Sequence, residues 1–392
     1  MKQTTAERLR RYTGSWWLGS PHRLFFASAA VWAMFALTLW MFQVSGLSSF
    51  VQITPAWHAH EMLWGYFSAV LVGHGLLSVP NQSGKLPVTG SGLLILWGVW
   101  VSGRLAMLSP ASEVLKGLVD MAFWGLLLFV LFREVATARK LSNGAYVLAV
   151  SGFSLANAAF HFGHIAVTPK VAISLIVFVI TLIGGRMIYS FTENARVARQ
   201  RTSGLTATYR PMETRTLQRV VAMLTAGALV AWLLAPSQSY ATAALLLAAF
   251  TAAMRLGVWF EMAAGKDVFL RGMYAAYFWV FAGLLILATG AERELIALHI
   301  LMVGGMFTLT VTIMLRSLLR SVGYPKPLQR PVGWLLLSLQ IAVAGRVAAV
   351  LLPGLRIFLL GLATAATLTA FGGLLLVLVG TRRFSISVAH KA

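Results

Sequence analysis

The sequence predicts an all-α protein, a polytopic membrane bundle of about twelve transmembrane helices, and three observations lead there. Mean hydropathy is +0.78. Hydrophobic residues make up 58% of the chain and charged residues 11%. Uninterrupted apolar runs recur at roughly the 20 residues a helix needs to cross a bilayer.

The apolar windows fall near 24–45, 57–78, 89–109, 112–132, 144–166, 170–192, 217–235, 239–259, 269–289, 293–317, 332–352 and 356–379. Residues 1–23 read as a cytoplasmic or interfacial segment, 24–380 as a single membrane domain and 381–392 as a cytoplasmic tail. Trp16 and Trp17 beside arginines suit a short interfacial helix before the first span. That span is too long for a signal-peptide core and no small-residue cleavage site follows it, so it is expected to be retained. Cysteine is absent. Disulfides, Cys-type zinc sites and thiolate chemistry are therefore excluded, and any metal must use His, Met or oxygen ligands.

A formal charge of +21 would suggest nucleic acid in a soluble chain. Here the distribution accounts for it, and the expected partner is membrane lipid. Lys2, Arg8, Arg10 and Arg11 precede the first span; Arg133, Arg139 and Lys140 follow the fourth; Arg196, Arg199, Arg201, Arg210 and Arg215 follow the sixth. Lys266 and Arg271 precede the ninth, Arg320, Lys326 and Arg330 follow the tenth, and Arg382, Arg383 and Lys391 lie in the tail. All fall on one side, which the positive-inside rule makes the cytoplasm. Both termini are expected there. The basic loop from about Glu193 to Arg219 reads as a solvated connector on the same side.

That orientation gives the histidines depths. His58 and His60 open the second span from outside, His161 and His164 close the fifth, and His299 opens the tenth. Arg104 and Arg346, late in the outward-running third and eleventh spans, reach a similar depth. Ionisable groups inside a membrane are costly and mark pathways, relays or cofactors.

Spans two-three and ten-eleven resemble each other. His60 precedes Arg104 by 44 residues and His299 precedes Arg346 by 47. A turn with Lys-Pro character separates each pair, and each second run ends Gly-Arg, at Gly103-Arg104 and Gly345-Arg346. A threefold repeat of four-helix units would explain the offset, with Gly184-Gly185-Arg186 in the sixth span as a degenerate middle copy.

Neutral imidazoles are axial ligands for haem iron, and one from each of two facing spans would hold a porphyrin within a bundle. His60 and His299 are the expected pair, with Arg104 and Arg346 near the anionic propionates. His58 and His60 point about 200° apart on a helix, so they cannot both face one iron. His161 and His164, three apart, share a helical face and suit copper or a similar ion, with His58 or Glu61 as a further ligand. The competing reading of His161 and His164 is a pair of boundary histidines bonded to carbonyls or water. His74, on roughly the face of His60, reads as helix packing, and His22 and His390 as tail residues.

The stretch His58-Ala59-His60-Glu61-Met62-Leu63-Trp64-Gly65, followed by Ser78-Val79-Pro80-Asn81-Gln82-Ser83-Gly84, resembles the hallmark opening of the NnrS family. Gly184 to Asn194 resembles that family's second signature and His299 to Leu328 its third. The resemblance covers most of the chain in order. It implies a haem- and copper-containing protein of the bacterial inner membrane, associated with nitric oxide metabolism and protection against nitrosative stress. Two departures stand out. Arg320-Ser321-Val322-Gly323 replaces the expected Gly-His-Thr-Gly, and His74 occupies an expected apolar position. More distantly, twelve spans with histidines in the second and tenth are similar to the catalytic subunit of haem-copper oxidases and nitric oxide reductases. The sixth span lacks the copper histidine of those enzymes.

The expected function is a membrane protein binding haem b through His60 and His299, with copper as a further ion at His58, His161, His164 and Glu61. Nitric oxide or a related small molecule would be its ligand, and an electron donor of unknown identity would serve it. If it turns over, it is a haem-dependent oxidoreductase acting on nitric oxide. The alternative from another class is a transporter for a metal ion or small anion, without haem redox chemistry.

Overall fold

A computed structural model describes residues 12–47, 53–83, 88–138, 144–203, 214–260, 267–321 and 328–389. Among the described residues there are twelve long helices and no strand. They are α1 (Pro21–Val44), α2 (Pro55–His60, Glu61–Tyr66 and Phe67–Ser83 in succession), α3 (Gly90–Leu108), α4 (Glu113–Ala138), α5 (Gly144–His161) and α6 (Thr168–Val179, Ile180–Gly184 and Gly185–Thr202). Then come α7 (Arg215–Leu234), α8 (Ser239–Trp259), α9 (Val268–Leu287), α10 (Glu294–His299, Ile300–Phe307 and Thr308–Ser321), α11 (Gln329–Leu351) and α12 (Arg356–Ala389). Each matches one apolar run. Among the described residues ten helices are long and apolar enough to cross a membrane by length and composition, and the chain is a multi-pass membrane protein.

Local chemistry fixes several helix starts. Thr54 caps α2, its Oγ1 accepting the Trp57 amide at 3.1 Å with Pro55 in the first turn. Asp267 caps α9 through the Phe269 and Leu270 amides, and Thr214 caps α7 through that of Leu217. At the N-terminal end of the described residues Trp16–Gly19 forms one 3-10 turn where a short interfacial helix is expected; residues 1–11 lie outside the described residues. His22 is buried at the start of α1, with Nδ1 2.7 Å from Ser20 Oγ, and is no tail residue.

Two compact units divide the chain. The first comprises Met1–Ala172, Leu318–Val322 and Phe371–Ala392; the second comprises Ile173–Ser317 and Gly323–Ala370. Within the first, α1 packs on α2, α3 on α4 and α4 on α5. Within the second, α9 packs on α8, α10 and α11, and α7 on α8.

Among the described residues three helices contain a π-helical segment: Glu61–Tyr66 in α2, Ile180–Gly184 in α6 and Ile300–Phe307 in α10. Such segments interrupt the i→i+4 ladder and concentrate at functional sites. The first and third begin immediately after His60 and His299. Each then has a glycine five residues past its histidine, set against a tryptophan of the preceding long helix. A Cβ on Gly65 would lie 2.7 Å from Trp32 Nε1, and one on Gly304 would lie 2.5 Å from Trp279 Cγ. The following helix supplies Gly103-Arg104 in one unit and Gly345-Arg346 in the other. The internal similarity read in the sequence is thus a likeness of packing as well. In the middle segment Arg255 of α8 donates to the Thr181 carbonyl at 2.6 Å, whereas Arg186 is exposed.

Candidate metal centre

Five helices of the first unit converge on one buried polar cluster. α2 contributes His60 and Glu61, α3 Arg104, α4 Asp120, α5 Asn157 and His161, and α1 Trp32. His60, Glu61, Asp120 and Asn157 are fully buried, and Arg104 nearly so.

Tryptophan indoles and glycines set the helix spacing. Trp57 Nε1 donates to the Met107 carbonyl at 3.1 Å, tying the start of α2 to the end of α3. Trp64 Nε1 donates to Phe153 O at 3.1 Å, tying α2 to α5. In the π-helical turn the Gly65 carbonyl is turned outward, where Ser68 Oγ at 2.9 Å and Trp100 Nε1 at 3.3 Å donate to it. Gly103 faces Asp120, whose Oδ1 would lie 2.9 Å from an added Cβ, and Gly117 faces the ring of His161.

The hydrogen bonds form a closed set. Glu61 Oε2 accepts from Trp32 Nε1 and from Arg104 Nη1, each at 2.7 Å. Glu61 Oε1 lies 2.8 Å from His60 Nδ1. The other arm of the Arg104 guanidinium pairs with Asp120 Oδ1. Asp120 Oδ2 accepts from Asn157 Nδ2 at 2.5 Å, which turns Asn157 Oδ1 towards His60 Nε2 at 3.0 Å. Asp120 Oδ2 also lies 3.2 Å from His161 Nε2 and 3.4 Å from His60 Nε2. The guanidinium thus bridges two carboxylates, one on each Nη, using the fixed planar fork for which arginine is suited.

His60, Asp120 and His161 each turn one donor atom inward, and those three atoms lie within 4.8 Å of one another. Around a tetrahedral ion with imidazole and carboxylate bonds of about 2.0–2.1 Å, ligand atoms stand about 3.3 Å apart. The separations of 3.2 and 3.4 Å at Asp120 Oδ2 match that spacing. With Nε2 turned to an ion, His60 Nδ1 is left to donate to Glu61, the carboxylate–histidine pairing that fixes tautomer and ring orientation in metal sites.

Of the residues singled out from sequence, the structure brings His60, Glu61, Arg104 and His161 together. His58 lies elsewhere, stacked on Trp40 with ring centroids 4.8 Å apart. His164 is not on a helical face with His161, because α5 ends at His161 and the chain turns through Gly163 at φ 93°, leaving His164 exposed. Asp120, the hub of the cluster, gave no sequence signal beyond being an acid inside an apolar run. That signal, read by the cost of a buried charge, would have found it.

His299 and Arg346 belong to the second unit and pair with each other through His299 Nε2 and Arg346 Nη2. His299 Nδ1 bonds to the Leu295 carbonyl at 2.8 Å. A haem at His60 does not fit this arrangement. The Arg104 charge is matched by two carboxylates, and the rings of Phe160, Trp64 and His161 close round the imidazole at 4.9, 5.3 and 5.3 Å, where a porphyrin would have to lie.

The model of the NnrS protein family matches residues 16–381, nearly the whole chain. The chain belongs to the NnrS family. That match runs through all twelve helices and includes every residue of the cluster. Comparison with curated proteins gives no match.

Proposed function

We propose that this NnrS-family membrane protein holds a transition-metal ion, copper, at His60, Asp120 and His161, and that it acts in the handling of nitric oxide. The observation that carries the metal reading is the donor triangle, with its spacing and its ready-made outer shell. Two imidazoles and a carboxylate without thiolate suit copper(II), zinc or iron, and the family resemblance favours copper. A bound ion of this kind supplies a coordination position at which a small diatomic ligand binds.

The chain's own groups do the rest. Glu61 orients His60, and Arg104 with Trp32 holds Glu61 in turn. Arg104 also fixes Asp120 Oδ1, so that Oδ2 faces the histidines. Asn157 steadies that oxygen. Full burial of His60, Glu61 and Asp120 excludes bulk water and strengthens each of these interactions.

Haem b is a second reading, favoured by His299. Its Nδ1 is committed to a carbonyl, so Nε2, which accepts from Arg346, carries the lone pair an axial ligand needs and would exchange Arg346 for iron.

Metal analysis and the visible spectrum of purified protein test both. About one copper per chain, lowered at least tenfold by His161→Ala, is the expected result for the cluster. A Soret band lost in His299→Ala is the result expected for haem. Metal-free, colourless protein would overturn both readings and favour the transporter.

A further inference from the structure

Two copies of the repeat place an arginine beside a π-helical segment, and they differ in what neutralises it. In the first, Arg104 lies between Glu61 and Asp120. In the other, the residue after the histidine is Ile300 where the first has Glu61. The residue packed against the glycine before the arginine differs too. A Cβ on Gly103 would lie 3.3 Å from Asp120 Cα, whereas one on Gly345 would lie 3.2 Å from Ala363 Cβ. Ala363 therefore stands where Asp120 stands, and both built-in carboxylates are gone.

Arg346 has one polar partner among the described residues, His299 Nε2, which accepts because Nδ1 donates to Leu295. No carboxylate pairs with it there, and the neighbouring charge is Arg356, a second cation. Ile296, Ile300 and Val343, with Trp279 and Val347 against them, form the apolar surroundings on these helices. A half-buried guanidinium with unused N–H donors and no counter-charge in a membrane bundle is costly.

We propose that the His299–Arg346 pair is an anion site, taking a carboxylate or a similarly small planar oxyanion where Glu61 and Asp120 serve Arg104 in the first copy. The inference rests on the repeat and on the missing acids, not on the metal reading. The shared chemistry is a carboxylate on a guanidinium fork, and its source is either a free small anion or a porphyrin propionate.

Purified protein is titrated with sodium formate against sodium chloride at constant ionic strength, following the thermal midpoint. The wild type is expected to show a saturable rise. Arg346→Gln should bind formate at least about tenfold more weakly, the worth of one charge-assisted hydrogen bond. Ala363→Asp restores the carboxylate of the first copy, and it should raise the midpoint without formate and abolish the response. Protein isolated with haem that responds to formate only after haem removal identifies the propionate as the source; a response in protein isolated without haem identifies a free anion. Identical formate curves for wild type, Arg346→Gln and Ala363→Asp would overturn the proposal.

Discussion

Gly65 meets the Trp32 indole so closely that a single added carbon would lie 2.7 Å from Nε1. The same carbon would lie 2.6 Å from Glu61 Oε2 and 2.8 Å from Arg104 Nη1. Trp32 and Arg104 both donate to Glu61 and all three are buried, so none can swing away. Gly65→Ala is therefore expected to destabilise the protein by about 1–3 kcal/mol, the usual range for overpacking. A lowered thermal midpoint with reduced bound copper would show it; a midpoint equal to wild type would mean that the cluster is looser than described.

Removing the cation should be worse than removing an anion with it. Arg104→Met leaves Glu61 and Asp120 facing each other in a low-dielectric interior, a loss of about 3–5 kcal/mol for breaking a buried pair. Adding Asp120→Asn to Arg104→Met should recover part of that loss. Yield and thermal unfolding of the two variants give the comparison, and a double variant no more stable than the single one would refute the coupling.

Glu61→Gln keeps the shape and an acceptor but removes the charge that faces His60. If Glu61 orients a metal-bound imidazole, copper affinity should fall by about 10–100-fold, the range for losing such a partner. Competition with a chelator of known affinity measures this, and unchanged affinity would take Glu61 out of the site.

His161→Ala and His164→Ala should separate cleanly. Only His161 reaches Asp120, at 3.2 Å, while His164 is exposed beyond the end of α5. Copper content is expected to drop in the first variant and to stay at the wild-type level in the second. Equal losses would restore the paired site that the spacing suggested.

Orientation is tested independently of any cofactor. Reporters fused after Arg201 and Ala392 should both read cytoplasmic, as the arginine bias requires. An external signal from either would remove the common outer depth of His60, His161 and His299.

The helices were legible because lipid demands long apolar runs, and each run became one helix. Burial of His60, Glu61 and Arg104 was legible too, because charge inside such runs is expensive. Their partnership was not. His60 and Arg104 were read as holding a porphyrin, yet Arg104 answers Glu61 and Asp120, and only the packing of α3 on α4 brings Asp120 to it. The His161–His164 spacing assumed a helix that Gly163 ends. The π-helical turns left no periodic signature that a 3.6-residue reading would register.

The bridging of Arg104 to acids on both of its neighbouring helices has a consequence for how the chain enters the bilayer. Glu61 emerges from the ribosome first, and α2 presented alone to the translocon carries an uncompensated carboxylate towards its outer end, a cost below the few kcal/mol (about 3) of an acid at the helix centre. Synthesis of α3 delivers the matching guanidinium, so α2 and α3 partition more favourably as a hairpin than either does singly. Asp120 then arrives on α4 with one oxygen already claimed. Insertion assays on truncated nascent chains ending after α2 and after α3 should show that gain, and Arg104→Met should erase it.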